Sequence, residues 1–305
     1  MRYLVTGAAG FIGSQLLRTL LERGHDASGL DSFTDYYDSA LKEENARDLP
    51  VVRADLVEDQ LDLDGLDGVF HLAGQPGVAS FGGVFPVYVR ENVLASQRLF
   101  EAAAAVGVRT LFASSSSIYG DAAAYPTPED TVPRPLSPYG VTKLACEHLA
   151  GAHGTEFGLD AVTVRYFTIY GPRQRPDMAF TKMVSCLAEG RRFELFGDGT
   201  QSRSFTYVDD AVEATIAAME RGASGETFNV GGGTEVSMLD AIETLGRIAG
   251  RRLEVVRSPR REGDAARTAA DTTRIEAALG WEASTPFEAG LAAQWRWAAD
   301  RVATR

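Results

Sequence analysis

The chain has 305 residues, 45% of them hydrophobic and 24% charged, and carries a formal net charge of −12 at pH 7. These values are typical of a globular protein, and the acidic balance disfavours a nucleic-acid or anionic-membrane surface, although a local basic pocket could still bind phosphate. The 2 cysteines have no metal or redox spacing and no apolar run reaches the roughly 18 residues of a membrane span, so we expect a cytoplasmic protein with free thiols and no metal.

The first half alternates short apolar runs with helix-length segments. Strands are predicted at 2–7, 26–31, 49–55, 67–74, 109–115 and 160–166. Helices are predicted at 11–24, 87–107 and 137–158. Alternation of this kind predicts βαβ units, a parallel sheet and helices on both faces.

The alternation loosens after Gly171-Pro172. Short strands are predicted at 193–196, 226–230 and 253–256, and helices near 178–189, 207–221, 237–249 and 286–302. We predict an α/β fold with a Rossmann-type doubly wound parallel sheet over 1–170, which also receives part of 204–232. A smaller mixed α/β substrate domain over 171–305 would be discontinuous and tightly packed.

Three glycines follow the first predicted strand, where the first helix begins. In VTGAAGFIGSQLL, Gly7 permits a tight turn, Gly10 lets the backbone approach a pyrophosphate, and Gly13 allows close helix–strand packing. The helix N-terminus adds N–H donors and positive potential. Asp31 ends the second strand, where an acid accepts hydrogen bonds from ribose hydroxyls and repels a 2′-phosphate. The same glycine spacing can occur in a tight turn that binds no ligand, but the strand–turn–helix context favours an NAD site.

Two more strand ends fall at the same edge of the predicted sheet. Asp55 follows the third strand, and Ala73 and Gly74 follow the fourth. Ligands bind at the carboxyl ends of strands in a doubly wound sheet, so Asp55 could contact adenine and the Ala73-Gly74 backbone could pass close to NAD. His71 lies inside an apolar run and is expected to be a packed strand residue.

Tyr139 and Lys143 stand four residues apart in SPYGVTKLACEH, on one face of a predicted helix. A tyrosine hydroxyl is a poor base near neutral pH, and an ammonium group together with the positive nicotinamide of NAD⁺ would stabilise its phenolate. Lys143 could also hold the nicotinamide ribose. A Tyr-x-x-x-Lys spacing alone is common, and in most proteins these residues have only a structural role. Because it follows an NAD motif here, we predict Tyr139 as the catalytic base and Lys143 as its partner.

Four serines, Ser114 to Ser117, end the fifth predicted strand in LFASSSSIYG. They could form a solvated turn or the edge of an active site. Together with the glycines at 7–13 and the Tyr139/Lys143 pair, they resemble the extended short-chain dehydrogenase/reductase family, in the NAD-dependent epimerase/dehydratase group that acts on nucleotide sugars. The resemblance covers nearly the whole chain, with later motifs at 196–212, 226–233 and 258–274.

The resemblance implies functions for further residues. Ser115 would bridge the sugar 4-hydroxyl and Tyr139, and Ser116 and Ser117 would complete the catalytic set. Further cofactor contacts are implied for Phe11, Ile12, Leu56, Leu72, Asn92, Ser114 and Tyr166. Substrate contacts are implied for Gln75, Thr168, Arg175, Met178, Phe196, Arg203, Arg261 and Asp264. Arginine forks suit the nucleotide diphosphate.

The serines also bear on the reaction. Dehydratases of the family place acids just before the Tyr-Gly motif and decarboxylases place a glutamate there, whereas this chain has Ser115–Ser117 before Tyr119-Gly120. The resemblance implies that Tyr139 takes the proton of the 4-hydroxyl while C4 gives a hydride to NAD⁺. Without an acid for elimination, return of the hydride to the opposite face of C4 remains, so we expect 4-epimerisation.

Two stretches indicate the sugar. DSFTDYYD (31–38) and RYFTIYGPRQRPDMAF (165–180) are similar to UDP-glucuronate 4-epimerases, and Arg175 matches the arginine expected to face the sugar carboxylate. A uronic acid needs such a cation to offset desolvation of its carboxylate. We expect conversion of UDP-glucuronate to UDP-galacturonate. The alternatives are a UDP-glucose or UDP-N-acetylhexosamine 4-epimerase, a UDP-glucuronate decarboxylase, or a non-catalytic NAD(H)-binding sensor.

The resemblance also implies a homodimer. Helices near 87–106 and 137–157 of two chains would form a four-helix bundle, and the Ala-rich face at 102–105 would allow close packing. The same helices could instead cover the sheet of one chain.

Overall fold

The computed structural model describes residues 1–77, 83–232, 234–259 and 266–303. The strands in these ranges are β1 Arg2–Thr6, β2 Asp26–Asp31, β3 Val51–Arg53, β4 Gly68–His71, β5 Arg109–Ser115, β6 Ala161–Tyr166, β7 Thr168–Tyr170, β8 Phe193–Phe196, β9 Ser202–Tyr207, β10 Thr227–Val230, β11 Glu235–Ser237, β12 Val255–Ser258 and β13 Arg267–Thr268. The helices are α1 Phe11–Glu22, α2 Ser39–Ala46, α3 Phe85–Tyr88, α4 Ala95–Val106, α5 Pro138–Phe157, α6 Ala179–Glu189, α7 Val208–Arg221, α8 Met238–Ala249, α9 Thr273–Leu279 and α10 Phe287–Ala303. A 3₁₀ turn, Ser116–Ile118, follows β5.

The central sheet contains seven strands within the described ranges, in the order β3, β2, β1, β4, β5, β6, β10. All neighbouring pairs are parallel. Tyr3 of β1 is in register with Ala27 of β2 on one side and with Gly68 of β4 on the other. The strand order reverses between β1 and β4, the switch point at which such sheets bind ligands. The predicted Rossmann-type doubly wound sheet is confirmed.

Helices cover both faces of this sheet. Helices α1 and α7 bury Leu16 and Ile216 against one face, and α4 and α5 bury Leu99 and Cys146 against the other. Burial of one such aliphatic side chain contributes about 1.5–3 kcal/mol. Because the helices cover the faces, the loops at the carboxyl edge of the strands remain available for a ligand.

The smaller part is mixed α/β and has its own core. Its aromatic centre contains Tyr170, Phe180, Phe205 and Phe287, with the Phe180 and Phe205 rings 4.5 Å apart. Strand β9 pairs antiparallel with β11 and parallel with β7 and β13. Helices α6, α8 and α10 enclose this core.

Several elements differ from the sequence-based expectation. Strands β7, β9, β11 and β13 and helices α2 and α9 were not predicted. These strands are 2–6 residues long, and their pairing partners lie far away in the chain, so local periodicity carries little signal. Strand β10, predicted as 226–230, pairs with β6 in the large sheet.

The helix predicted at 87–107 is interrupted. Its first turn is α3, a π-helical segment at Val89–Leu94 follows, and α4 completes it. Such π-helical turns are rare and occur frequently at functional sites. Asn92, which lies in this segment, is 1% exposed.

Candidate active site

A cavity opens at the carboxyl edge of the central sheet. Its walls come from the loops after β1 to β4, from the ends of β5 and β6, from α5 and from the segment after β7. The residues predicted to bind NAD that line it are Gly7, Gly10, Phe11, Ile12, Gly13, Asp31, Leu56, Leu72, Ala73, Gly74, Ser114, Tyr139, Lys143 and Tyr166. Gln75 and Arg175, predicted to bind the substrate, line the same cavity. Both sets therefore face one space.

The glycine turn and Asp31 form one wall. A Cβ at Gly13 would lie 2.1 Å from the Gly7 carbonyl oxygen, so only glycine lets α1 approach β1 this closely. The Asp31 carboxylate accepts from the Ala9 N–H at 3.0 Å and from the Phe33 N–H at 2.8 Å. Each carboxylate oxygen has capacity for a further hydrogen bond, as ribose hydroxyls require. The residues present therefore fit NAD.

Tyr139 and Lys143, the predicted catalytic pair, lie in the first two turns of α5. Ser137 caps this helix, with its Oγ accepting from the Gly140 N–H at 3.1 Å. Lys143 is 4% exposed, and its Nζ donates to the Ala113 carbonyl at 2.8 Å and lies 6.0 Å from the centre of the Tyr139 ring. The contact with β5 holds the ammonium group beside Tyr139, as the proposed chemistry requires.

The four serines divide between the cavity and a turn. Ser114 lines the cavity and donates to Glu147 of α5. Ser115 Oγ accepts from the Ser117 N–H and donates to Ser117 Oγ, both at 3.1 Å. A Cβ at Gly140 would lie 2.5 Å from the Ser117 carbonyl oxygen. The turn therefore packs on the start of α5 and helps to place Tyr139 and Lys143.

A buried ion pair lies behind Ser114. Arg165 of β6 binds Glu147 through Nε–Oε1 at 3.0 Å and Nη2–Oε2 at 2.7 Å, and the two side chains are 9% and 10% exposed. Arg165 also donates to Tyr119 Oη at 2.7 Å, and Tyr119 donates to Asn229 Oδ1 of β10 at 2.8 Å. Burial alone would lower the pKa of Arg165, but the hydrogen bonds to Glu147 hold it above its usual value. This network joins β5, β6, β10 and α5 beneath the cavity.

Asn92 supports the cavity from the π-helical segment. Its Oδ1 accepts from the Gln75 N–H at 2.7 Å, and its Nδ2 donates to the Gln75 carbonyl at 3.2 Å and to Thr142 Oγ1 at 3.0 Å. These bonds fix the loop after β4 against α5. Direct contact of Asn92 with NAD stays a prediction.

The Asp55 carboxylate accepts hydrogen bonds from other residues of the protein. Its carboxylate accepts from Arg90 Nη2 at 2.9 Å and from the Val57 N–H at 2.7 Å. Burial alone would raise the pKa of Asp55, but these hydrogen bonds lower it below its usual value. Its neighbour Leu56 lines the cavity. The adenine contact of Asp55 stays a prediction.

His71 is completely buried in β4. Its Nδ1 lies 2.8 Å from Thr6 Oγ1 and its Nε2 lies 2.9 Å from Ser96 Oγ. Burial, and secondarily the charge of Lys143, lowers the pKa of His71 to about 3. The ring is therefore neutral near pH 7 and packs within the strand, as the sequence indicated.

The other predicted substrate residues lie in the smaller part of the fold. Thr168 begins β7, Met178 precedes α6, Phe196 ends β8 and Arg203 lies in β9. Among the described residues, the cavity lining does not include Ser115, Ser116, Ser117, Thr168, Met178, Phe196 or Arg203.

Arg203 contacts the residue that follows the segment predicted to bind the diphosphate. Its Nη1 donates to the Ser202 carbonyl at 2.8 Å and to the Ala266 carbonyl at 3.3 Å. Ala266 directly follows residues 260–265. Arg261 and Asp264 fall in that segment, outside the described residues.

Arg175 forms an ion pair at the cavity wall. Its Nε and Nη2 donate to Asp177 Oδ1 and Oδ2 at 3.0 and 3.1 Å. Burial alone would lower the pKa of Arg175, but the charge of Asp177 raises it above its usual value. The guanidinium is therefore charged and held in one orientation.

Six polar cavity residues were missed by sequence reasoning: Ser32, Thr34, Tyr36, Tyr37, Lys42 and Glu91. Lys42 Nζ donates to the Thr34 carbonyl at 2.8 Å, and burial lowers the pKa of Lys42 although the charge of Asp31 opposes this. The two tyrosines belong to DSFTDYYD, whose aromatic pair was an available signal. Lys42 lies in α2, whose mostly polar sequence SALKEENA lacks a clear helical periodicity.

The described parts of the chain contain neither a candidate metal site nor a membrane-spanning helix. In these ranges, no group of three or more His, Cys, Asp or Glu side chains could hold a metal ion. None of the helices described is long and apolar enough to cross a membrane.

Known proteins share this sequence and architecture. A UDP-glucuronate 4-epimerase of Thermodesulfobacterium geofontis is 35% identical over 315 residues, which cover 98% of this chain and 97% of that protein. An uncharacterised UDP-glucose epimerase of Bacillus subtilis is 39% identical over 303 residues, covering 95% and 96%. The crystal structure of UDP-glucuronic acid 4-epimerase from Bacillus cereus, in complex with UDP-glucuronic acid and NAD, matches with a TM-score of 0.95 at 38% identity, covering 99% of this chain and 100% of that one.

The family assignment rests on both levels of comparison. The model of the NAD dependent epimerase/dehydratase family matches residues 3–231. That range contains the glycine turn, Asp31, Tyr139, Lys143 and Arg175, which line one cavity at the switch point of the sheet. Because the match spans most of the sequence and the full-length relatives share its architecture, this chain belongs to the NAD dependent epimerase/dehydratase family.

Proposed function

We propose that the protein is an NAD-dependent UDP-sugar 4-epimerase that interconverts UDP-glucuronate and UDP-galacturonate through a 4-keto intermediate. The observation that carries the choice of sugar is the charged Arg175 in the cavity that also contains Tyr139 and Lys143. A guanidinium is suited to bind the C6 carboxylate of a uronic acid. The relatives that act on UDP-glucuronate support this choice.

The chain's own residues would move the proton and orient the sugar. When bound, NAD would supply the hydride acceptor and donor for C4. Tyr139 takes the proton of the 4-hydroxyl as a base and returns it as an acid. Lys143, fixed by the Ala113 carbonyl, places a positive charge that favours the tyrosine phenolate. Ser115, in the turn that packs on α5, is proposed to bridge the 4-hydroxyl and Tyr139.

The surrounding acids support epimerisation over elimination or decarboxylation. Residues 114–117 are serines. Glu147, which touches Ser114, is paired with Arg165, and Glu91, at the cavity wall, is paired with Arg90. A carboxylate held in an ion pair with an arginine is not free to act on a sugar carbon. Return of the hydride is therefore the favoured outcome for the keto-sugar.

The substrate is tested by incubating the NAD-loaded enzyme separately with UDP-glucuronate, UDP-glucose and UDP-N-acetylglucosamine and identifying the products by NMR. We expect UDP-galacturonate as the main product and much slower turnover of the other two sugars. Arg175→Ala should raise KM for UDP-glucuronate about tenfold or more, since it removes a charge-assisted contact worth about 1.5–3 kcal/mol.

One observation supports a second candidate. The Bacillus subtilis relative carries the description of a UDP-glucose epimerase. Faster turnover of UDP-glucose than of UDP-glucuronate, with no effect of Arg175→Ala on KM, would establish this function in place of the proposed one. No turnover of any sugar combined with NAD(H)-dependent binding of a partner protein would support the sensor alternative.

The two parts of the fold have separate proposed tasks. Residues 1–170 and part of 204–232 would bind NAD, and 171–305 would bind most of the UDP-sugar, with Arg203, Arg261 and Asp264 at the diphosphate or ribose. A cytoplasmic location belongs to the same proposal. It is supported by Cys146 and Cys186, which are buried free thiols in the structure.

We also propose a homodimer formed by α4 and α5. Exposed apolar side chains lie along these helices and the segment before α4, including Val89 at 39%, Leu94 at 42% and Val141 at 44% exposure. Association would bury this surface. Sedimentation should give twice the chain mass for the wild type, and Leu94→Glu should shift the protein toward monomer. Val256→Glu is the matched control, because Val256 is 45% exposed in β12 and lies on neither helix; a dimer that persists in Leu94→Glu would contradict this interface.

A further inference from the structure

The pair between Arg175 and Asp177 is oriented across the wall of the cavity. Arg175 lines the cavity, whereas the lining drawn from the described residues does not include Asp177. The two contacts, Nε–Oδ1 at 3.0 Å and Nη2–Oδ2 at 3.1 Å, place the carboxylate against the side edge of the guanidinium. Asp177 thus holds Arg175 from outside the space that the sugar would occupy.

The ion pair with Asp177 uses one edge of the Arg175 guanidinium, and a second edge is suited to bind another carboxylate. A guanidinium carries five N–H bonds in a fixed planar fork. The pair with Asp177 uses the Nε edge, and the Nη1–Nη2 edge has the spacing for a second bidentate carboxylate. A free arginine would have to lose rotamer freedom when it binds the sugar, whereas the paired Arg175 has already lost it.

A second contact holds Asp177 from the cofactor side of the cavity. Tyr36 lies in the loop after β2, lines the cavity, and its hydroxyl donates to Asp177 Oδ2 at 3.4 Å. Burial, and secondarily the charge of Asp177, raises the pKa of Tyr36 to about 12. The hydroxyl is therefore a donor near neutral pH. The loop that begins at Asp31 is in this way joined to the segment that carries Arg175.

We propose that Asp177 is a positioning residue that orients Arg175 toward the C6 carboxylate of the sugar and thereby limits loss of CO₂ from the 4-keto intermediate, with Tyr36 as its support. The inference rests on the proposed UDP-glucuronate 4-epimerase function. In the side reaction, the C5–carboxylate bond breaks and CO₂ leaves. The bonding electron pair moves toward the C4 carbonyl to form an enolate, which takes a proton from water at C5 and becomes a 4-keto pentose. A carboxylate held out of line with the carbonyl π system resists this cleavage.

The test uses the NAD-loaded enzyme and UDP-glucuronate labelled with ¹³C in the carboxylate. For Asp177→Asn, which keeps the size but loses the second acceptor oxygen and the charge, we expect KM to rise about tenfold. The ratio of labelled CO₂ released to sugar epimerised should rise by a similar factor. The inhibition constant of UDP-glucose, which has no carboxylate, should stay within about twofold. Tyr36→Phe should raise both KM and the ratio of CO₂ released to sugar epimerised by about threefold.

Glu189→Gln is the matched control. Glu189 pairs with Arg191 at the same two-residue separation but at the exposed end of α6, and this variant should retain wild-type values. Thermal unfolding of each variant with NAD establishes that it is folded, and Tyr36→Phe provides an independent readout if Asp177→Asn is unstable.

If the wild type epimerises UDP-glucuronate, three results would contradict the positioning role of Asp177 but not the proposed function. They are an unchanged KM and CO₂ ratio, an equal weakening of UDP-glucuronate and UDP-glucose binding, and a lower KM in Asp177→Asn. The last would mean that Asp177 competes with the substrate carboxylate. A wild type that does not convert UDP-glucuronate would instead overturn the proposed function and this inference with it.

Discussion

Replacing Tyr139 by Phe is expected to lower kcat for UDP-glucuronate epimerisation by about 10³-fold, within the range of about 10²–10⁴ that a positioned general base contributes. The change removes one hydroxyl and keeps the ring in place on α5. Lys143 would still be held by the Ala113 carbonyl, so the cavity and its charge are preserved. NAD binding, measured by fluorescence quenching, should therefore change little, and KM should change far less than kcat.

Tyr88→Phe is the control for this experiment. The Tyr88 and Tyr139 ring centres are 6.5 Å apart, but the Tyr88 hydroxyl donates to the Gly77 carbonyl at 2.7 Å. Loss of that hydroxyl should cost less than about tenfold in kcat, since a hydrogen bond to a backbone carbonyl, such as those to Gly77 and Pro76, is worth about 1 kcal/mol. If Tyr139→Phe were no slower than Tyr88→Phe, another group would have to be the base.

Glu147→Gln is expected to reduce the free energy of unfolding by about 3–5 kcal/mol, the usual cost of leaving one partner of a buried ion pair uncompensated. Arg165 and Glu147 are 9% and 10% exposed and line a surface cavity, so water replaces the lost carboxylate only in part. The substitution also replaces the charged oxygen that accepts the hydrogen bond from Ser114 at the cavity wall. Urea denaturation at a fixed NAD concentration, followed by circular dichroism, measures the change.

An exposed pair provides the comparison. Glu213 binds Arg23 with side chains 49% and 38% exposed, and Glu213→Gln should cost about 0–1 kcal/mol. A loss below about 1 kcal/mol for Glu147→Gln would show that solvent reaches the Arg165 pair or that its neighbours rearrange to satisfy the charge. Because the pair joins β5, β6 and α5, we also expect a lower kcat in this variant.

The predictable parts of the fold are those with strong local patterns. Strands β1 to β6 were predicted because each is a short apolar run between turn residues, and the order of strands and helices then restricted the sheet to a parallel, doubly wound arrangement. Strands β9 and β13 were missed because Arg203 and Arg267 give them a polar character, and each exists through pairing with residues far along the chain. The π-helical segment was missed because 87–107 has an ordinary helical composition.

The site residues also divide into those that local sequence patterns identify and those whose contacts the patterns do not reveal. Gly7 to Gly13, Tyr139 with Lys143, and Ser114 are placed by short-range spacing, and they line one cavity. Asn92 and Asp55 were expected to touch NAD, which stays a prediction, and the structure adds that they form hydrogen bonds with Gln75 and Arg90. Sequence spacing identifies the loop on which a side chain lies but does not identify its hydrogen-bond partner.

The fold class, the dinucleotide turn and the prediction of Tyr139 and Lys143 as the catalytic pair follow from the sequence alone, since each depends on residues within about one strand–turn–helix unit. Which side chains meet at the cavity is visible only in the folded structure. Asp177 contacts both Arg175 and Tyr36, and Tyr36 is 141 residues earlier in the chain. Lys42 and Glu91 reach the same cavity from α2 and the π-helical segment. The physical reason is that such contacts depend on how loops of different strands converge at one sheet edge, which local periodicity does not specify.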